Sequence, residues 1–197
     1  MKSVLLLAAA LAACLAGPAR AAADLAAGAA QAQACLGCHG PGGISQMAAT
    51  PSLAGQPDGF LQWQLVFFRS GARKSPVMQP IAAALKDNDI RNLAAFFAAQ
   101  RPPKVDPAAK PDEALLAAGR KLAQAHRCAA CHKDDFSGTQ ATARLAAQRE
   151  DYLLKALRDF KSGARSGGAM AAMADVVYPL ADDDLRALAH LLAHRPS

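Results

Sequence analysis

Aromatic side chains are scarce in this chain of 197 residues, which has one tryptophan, two tyrosines and seven phenylalanines. Runs of valine, isoleucine and threonine are almost absent, which disfavours strands, whereas the abundant alanine and leucine favour helices. No cluster of basic residues interleaved with stacking aromatics is present, and this excludes a nucleic-acid-binding surface. The composition predicts an all-α protein.

Long apolar runs are also missing beyond residue 25, where none approaches the roughly 18–20 residues that cross a bilayer. The N-terminus has a short basic start, an apolar stretch over residues 4–16 and a small-residue exit at residues 19–21. This order is typical of a secretory signal, which we assign to residues 1–23. We therefore expect an exported, periplasmic protein.

One feature of this segment offers an alternative to simple cleavage. Leu11-Ala12-Ala13-Cys14 resembles the lipobox of bacterial lipoproteins, so Cys14 is a candidate lipid anchor. We expect membrane association only through such an anchor or through docking. The formal charge of +6 falls to +4 once Lys2 and Arg20 leave with the signal.

The other four cysteines form two pairs, and a histidine follows each pair directly. The motifs are Cys35-Leu36-Gly37-Cys38-His39 and Cys128-Ala129-Ala130-Cys131-His132. C-x-x-C-H is the attachment pattern for c-type haem. At the start of a helix, positions i, i+3 and i+4 share one face, so both thiols can reach the haem while the imidazole points at the iron. The sequence predicts two covalently bound haem c groups.

Other uses of these cysteines fit less well. A disulfide scaffold does not need a histidine after both pairs. A zinc site would have to join motifs that lie in separate repeat units. A thioredoxin-like motif follows a strand, whereas residues 25–34 are predicted to be helical.

The two halves of the chain repeat one helical unit. Each half continues with a stretch that ends in glutamine, a helix, a Ser-Gly-Ala-Arg stretch and a closing helix with an acidic start. The helices are predicted over residues 58–70 and 150–161, and Asp87 and Asp182 are predicted as N-caps of the closing helices. Four prolines between residues 101 and 111 predict a semi-rigid linker. We assign the domains to residues 24–100 and 112–197.

A second axial ligand decides what each haem can do, because methionine at that position favours electron transfer and an open position favours catalysis. In the first half the candidate is Met78, which flanking prolines predict to be a loop residue. Met47 lies close behind the motif and is the weaker candidate.

In the second half, two ways of aligning the repeats give different methionines as the equivalent of Met78. Counting forward from Ser-Gly-Ala-Arg matches Met78 to Met170, whereas counting back from the closing helix matches it to Met173. We prefer Met173 because the ligand is held by the segment that leads into that helix, and Gly167-Gly168 marks a plausible insertion. Met170 stays the alternative.

The three remaining histidines are predicted not to ligate iron. His126 precedes its motif by two residues and cannot readily reach the opposite haem face. His190 and His194 lie one turn apart on the last helix, where we expect a surface or flank position.

With these motifs, the chain resembles the dihaem class I c-type cytochromes, in particular the cytochrome c4 family. The resemblance covers essentially the whole mature chain, including the Pro-x-Leu-x-Gly stretch at 51–55 and the methionine before each closing helix. It implies two tandem cytochrome c domains with close haems, His/Met ligation, and electron exchange with terminal oxidases, membrane cytochrome complexes or periplasmic dehydrogenases. It also implies that the carbonyl of Pro51 orients His39.

The second half departs from the first at three positions of this pattern. It has Ala143, Ala147 and Leu191 where the first half has Pro51, Gly55 and Phe96. Alanine keeps a carbonyl, so the contact to the histidine can survive. We expect the two haems to differ in environment and in potential.

The sequence therefore predicts an electron carrier rather than an enzyme, with no catalytic residue. The alternatives are a subunit of a periplasmic dehydrogenase, such as a sulfide-oxidising flavocytochrome, or a haem peroxidase. Six basic residues flank equivalent loops and are expected to neutralise the haem carboxylates or to dock an acidic partner. They are Arg69, Arg73, Lys74, Arg158, Lys161 and Arg165.

Overall fold

The computed structural model describes residues 22–108, 110–166 and 170–196, so residues 1–21, with Cys14, lie outside the described residues. Within these ranges the chain forms nine α-helices and no β-strand. They are Leu25–His39 (α1), Asp58–Ser70 (α2), Met78–Ala83 (α3), Asp87–Ala98 (α4), Glu113–Ala125 (α5), Ala129–His132 (α6), Glu150–Lys161 (α7), Ala171–Val177 (α8) and Asp182–Ala193 (α9). The all-α prediction is confirmed, and α2 and α7 have the predicted bounds.

The helices form two similar units, α1–α4 and α5–α9. In each unit the first helix packs against the last, α1 against α4 and α5 against α9, and α2 and α7 pack against the same closing helices. A glycine lies at each main crossing. A Cβ atom on Gly28 would be 2.3 Å from the carbonyl oxygen of Asn92, and one on Gly119 would be 2.4 Å from that of Ala187. Neither crossing has room for a side chain.

Each unit buries its own hydrophobic core between these helices. The first contains Leu61, Leu93 and Phe97, and the second, larger core is built on α7 and α9. Phe67 of the first unit packs against the core of the second. The two units therefore share apolar contact.

The residues that cap the closing helices differ from those predicted. Asp87 and Asp182 are the first helical residues, and the N-caps are Lys86 and Ala181. The capping carboxylates come from the third helical position, where Asp89 accepts from the backbone N–H of Lys86 at 2.8 Å. The N-cap assignment to Asp87 and Asp182 was wrong, although the helices do begin there.

The units also meet through two arginines, of which Arg165 is buried and Arg73 is partly exposed. Arg73 and Arg165 pair through an isolated antiparallel bridge. Both guanidinium groups donate to the Oε1 atom of Gln64, at 2.6 Å from Arg73 and 2.8 Å from Arg165. Each also lies over a phenylalanine ring of its own unit, Phe68 at 4.5 Å and Phe160 at 4.4 Å.

Ala147, which replaces the glycine found at Gly55, is expected to lower the free energy of unfolding. Gly55 and Ala147 both adopt positive φ, 66° and 55°, and donate to the closing helix of their unit. A left-handed conformation costs an L-residue roughly 1–2 kcal/mol. We expect Ala147→Gly to raise the free energy of unfolding by about 1 kcal/mol, part of the relief being lost to chain entropy.

Chemical denaturation of the haem-loaded protein measures this effect. The control is Ala146→Gly, since Ala146 is 1% exposed and has no positive φ. We expect Ala146→Gly to lower the free energy of unfolding. A loss of stability in Ala147→Gly would contradict the assignment of strain to Ala147.

Candidate functional site

The two C-x-x-C-H motifs lie on helices, but in different positions. The first occupies the last turn of α1, a continuous helix that ends at His39. In the second unit α5 ends at Ala125, Arg127 turns the chain with a φ of 52°, and the motif continues on the short helix α6. The prediction that both motifs begin a helix was therefore wrong for the first. The helical spacing that places two thiols and an imidazole together is present there.

Both motif histidines are buried and held in one tautomer. His39 Nδ1 lies 2.9 Å from the carbonyl oxygen of Pro51, and His132 Nδ1 lies 2.8 Å from that of Ala143. A carbonyl only accepts, so Nδ1 carries the proton and Nε2 keeps its lone pair for a metal. Burial lowers the pKa of both imidazoles, and the carbonyl contact opposes this only in part. Alanine thus replaces Pro51 in the second unit without loss of the contact.

The cysteines of each pair differ in exposure. Cys35 and Cys128 are partly buried, whereas Cys38 and Cys131 are exposed. Burial raises the pKa of the Cys35 thiol, with a further contribution from Cys38, and burial also raises the pKa of Cys128.

The candidate methionines are on short helices. Met78 is the first residue of α3, so the loop predicted there was wrong. Met173 lies within the first turn of α8 and Met170 is its N-cap. Met170 is 5% exposed and belongs to the second core, whereas Met78 and Met173 are both partly exposed. The segment 167–169, with the predicted insertion, lies outside the described residues.

Basic side chains anchor the ends of these methionine helices. Arg69 donates to the carbonyl of Leu85 at 3.0 Å and to Asp87 at 2.7 Å. In the second unit two residues make the corresponding contacts. Lys161 donates to the carbonyl of Leu180, and Arg158 forms a bidentate ion pair with Asp182. These three cations are thus paired within the protein, and their expected role toward the haem carboxylates stays a prediction.

Among the described residues, Arg73 and Arg165 form no salt bridge with a carboxylate, and their side chains donate to Gln64. Tyr152 accepts from Arg73 at 3.2 Å. Burial lowers the pKa of Arg165 to about 10. Burial would raise the pKa of Tyr152, but the charges of both arginines and their hydrogen bonds outweigh it and bring it to about 8. Two cations thus converge on the neutral acceptor Gln64, and the charge of Asp159 acts on Arg165 without a salt bridge between them.

Some buried donors fit an anionic cofactor. Arg165 Nε and Arg144 Nη1 are buried without a hydrogen-bond partner. Buried donors are normally hydrogen-bonded, so these two N–H groups need acceptors. The carboxylates of haem are anionic acceptors that could form charge-assisted hydrogen bonds with them. The thiols and the oriented histidine of each motif fit a haem group, and the two unpartnered arginine donors offer partners for haem carboxylates.

The other histidines are engaged in structure. His190 is 7% exposed, so the surface position predicted for it was wrong. Its Nε2 accepts from the backbone N–H of Asp112 at 3.0 Å, and its Nδ1 lies 3.1 Å from Glu150. The ring of His194 lies beside it, tilted by 44°, and Nδ1 of His194 is 2.9 Å from the carbonyl oxygen of His190. With both ring nitrogens engaged, His190 is not available to iron.

Two buried glutamines were missed by sequence reasoning. Gln56 and Gln148 are 5% and 4% exposed and hydrogen-bond across the contact between the units. The signal was present, because both repeats place a glutamine at the same position before a helix.

A repeated helical unit with one C-x-x-C-H motif and one pinned histidine per copy defines a two-domain c-type cytochrome, which binds two haem c groups covalently. Comparisons with known proteins give the family. Residues 116–195 match the cytochrome c family, and residues 21–97 match the family described as cytochrome C oxidase, cbb3-type, subunit III. The chain is 34% identical over 187 residues to cytochrome c4 of Azotobacter vinelandii, covering 87% of this chain and 89% of the relative. The chain belongs to the cytochrome c4 family.

Two further similarities bear on function. The chain is 35% identical to the thiosulfate dehydrogenase electron acceptor of Stutzerimonas stutzeri (strain A1501), over 83% of this chain and 79% of that protein. The crystal structure of reduced recombinant cytochrome c4 from Pseudomonas stutzeri matches with a TM-score of 0.79 and 29% identity, over 88% of this chain and all of that one. The protein is accordingly a dihaem electron carrier and not an enzyme. None of the described helices is long and apolar enough to span a membrane.

Proposed function

We propose that this protein is a periplasmic carrier that accepts single electrons from a dehydrogenase and relays them through two His/Met-ligated haems. The ligands are His39 with Met78 and His132 with Met173. The observation that carries the proposal is that a backbone carbonyl accepts from Nδ1 of each motif histidine. This contact fixes the tautomer and leaves Nε2 free for iron. A haem with both axial positions filled by protein exchanges electrons without binding a substrate.

The choice of Met173 over Met170 rests on helix register. The backbone N–H of Leu85 donates to the carbonyl of Ala82, and that of Leu180 donates to the carbonyl of Val177. Both acceptor residues are fully buried and lie three positions before their donor. Met173 lies four residues before Val177, as Met78 lies four before Ala82. Met170 lies one turn earlier, at the N-cap of α8, and is buried in the core, which supports a packing role, whereas Met173 packs against that core from a partly exposed position.

The proposed electron donor is a thiosulfate dehydrogenase. Support comes from the relative in Stutzerimonas stutzeri, whose name states that it accepts electrons from that enzyme. A donor of this kind needs an acceptor with exposed redox edges and no chemistry of its own, and haem meets both requirements.

Stopped-flow reduction tests this donor. The oxidised protein is mixed with purified thiosulfate dehydrogenase and thiosulfate, and haem reduction is followed by absorbance. We expect rapid reduction that depends on both enzyme and thiosulfate, with enzyme-free mixtures as the control. Absence of reduction, together with rapid oxidation of the reduced protein by a terminal oxidase, would assign it to the respiratory chain instead.

A further inference from the structure

Two glutamine side chains cross between the domains in a reciprocal pattern. Gln148 of the second domain accepts from the N–H of Ser52 at 2.9 Å and donates to the Ser52 carbonyl at 2.8 Å. Gln56 of the first domain accepts from the N–H of Arg144 at 3.0 Å and donates to the Arg144 carbonyl at 2.9 Å. Each side-chain amide therefore satisfies both backbone groups of one residue in the other domain.

The bound peptides are those that hold the motif histidines. The N–H of Ser52 and the carbonyl of Pro51 are the two ends of one planar peptide unit, and that carbonyl accepts from His39. The N–H of Arg144 and the carbonyl of Ala143 form the corresponding unit for His132. Each domain thus completes a hydrogen-bond chain that ends on the histidine of the other domain.

Such a chain has an electronic consequence. Hydrogen bonds in series polarise one another, so an acceptor at the N–H end makes the carbonyl end a stronger acceptor. A stronger acceptor at Nδ1 makes the imidazole more basic, which favours ferric iron and lowers the potential. The chain through Ser52 is buried, since Gln148 and Ser52 are 4% and 2% exposed, and in the part-buried chain through Arg144 the glutamine itself is 5% exposed. Water is therefore a poor substitute for the glutamine.

The geometry points to Gln56 and Gln148 as crossed positioning residues: Gln148 tunes the haem of the first domain and Gln56 tunes the haem of the second. This inference rests on the proposed ligation by His39 and His132. It gives the contact between the domains a role in setting both potentials, beyond holding the domains together.

The test compares Gln148→Met with Gln56→Met, which keep side-chain length and remove both hydrogen bonds to the other domain; Gln148→Met also removes the bond from the N–H of Arg149 in its own domain. Midpoint potentials are measured for each haem separately, by NMR of haem methyl signals assigned to each domain. We expect Gln148→Met to raise the potential of the first haem more than that of the second, and Gln56→Met to do the reverse. Each variant is thus the control for the other.

Amide exchange supplies a second readout that does not depend on potential. Loss of the acceptor should speed exchange at Ser52 in Gln148→Met and at Arg144 in Gln56→Met. Faster exchange without a crossed change in potential would overturn the tuning and leave the electron-carrier function standing. Equal shifts of both haems in both variants would also overturn it, because they indicate general loosening. If a methionine variant does not fold, the shorter Gln→Asn pair repeats the comparison.

Discussion

Replacement of Met173 by alanine is expected to lower the midpoint potential of the second haem and to convert it to a high-spin form. The sulfur would be lost while His132 keeps its carbonyl contact, so one axial position opens. Because axial ligands set haem potentials over about 0.8 V, we expect a fall on the order of 0.1 V or more. Potentiometry and the methionine–iron absorption band measure both effects.

The matched control is Met170→Ala, one helical turn away. Met170 is 5% exposed within the second core, so its truncation should cost roughly 2–5 kcal/mol of stability while the haem stays low-spin. The opposite pattern, with the absorption band lost in Met170→Ala and kept in Met173→Ala, would exchange the two assignments. It would also show that the count from Ser-Gly-Ala-Arg is the correct one.

Alanine at Gly119 is expected to destabilise the protein strongly, although alanine is about 1 kcal/mol better than glycine within a helix. The added Cβ would lie 2.4 Å from the carbonyl oxygen of Ala187 and 2.8 Å from the Cβ of Leu191. A backbone carbonyl cannot rotate away, so α5 and α9 must move apart. We expect a loss of about 2–3 kcal/mol, typical of overpacking, measured by chemical denaturation.

Gly28→Ala should act in the same way on the first domain, where the carbonyl oxygen of Asn92 is 2.3 Å from the added atom. Gly37, on the same helix, provides the control, because a Cβ there meets nothing within 4 Å. Gly37→Ala should leave stability unchanged or raise it. Stabilisation by Gly119→Ala or Gly28→Ala would contradict the close helix crossings.

Much of this fold could be predicted because it is local and repeated. The bounds of α2 and α7 follow from a polar start and a Ser-Gly end, and the attachment motifs predict the cysteines and histidines of the haem sites without knowledge of the tertiary structure. The closing helices were also placed correctly. Their caps were not, because runs such as Asp182-Asp183-Asp184 offer several carboxylates and only the backbone path decides which one reaches the N-cap N–H.

The features that sequence reasoning missed depend on distant residues. His190 is buried because Asp112 and Glu150, 78 and 40 positions away, supply partners for both ring nitrogens. The crossed glutamines join residues 88 and 96 positions apart. Periodicity along one helix carries no information about such partners. The repeat did mark the glutamines, since both halves place the same polar residue at the same buried position.

The most direct test of the central claim is haem quantitation on the purified protein, combined with spectra in both oxidation states before and after exposure to carbon monoxide. We predict two covalently bound haems per chain, both low-spin, and no spectral change with carbon monoxide in the reduced protein. A single haem per chain, or a high-spin haem that binds carbon monoxide in the protein as isolated, would contradict a carrier with two His/Met-ligated haems.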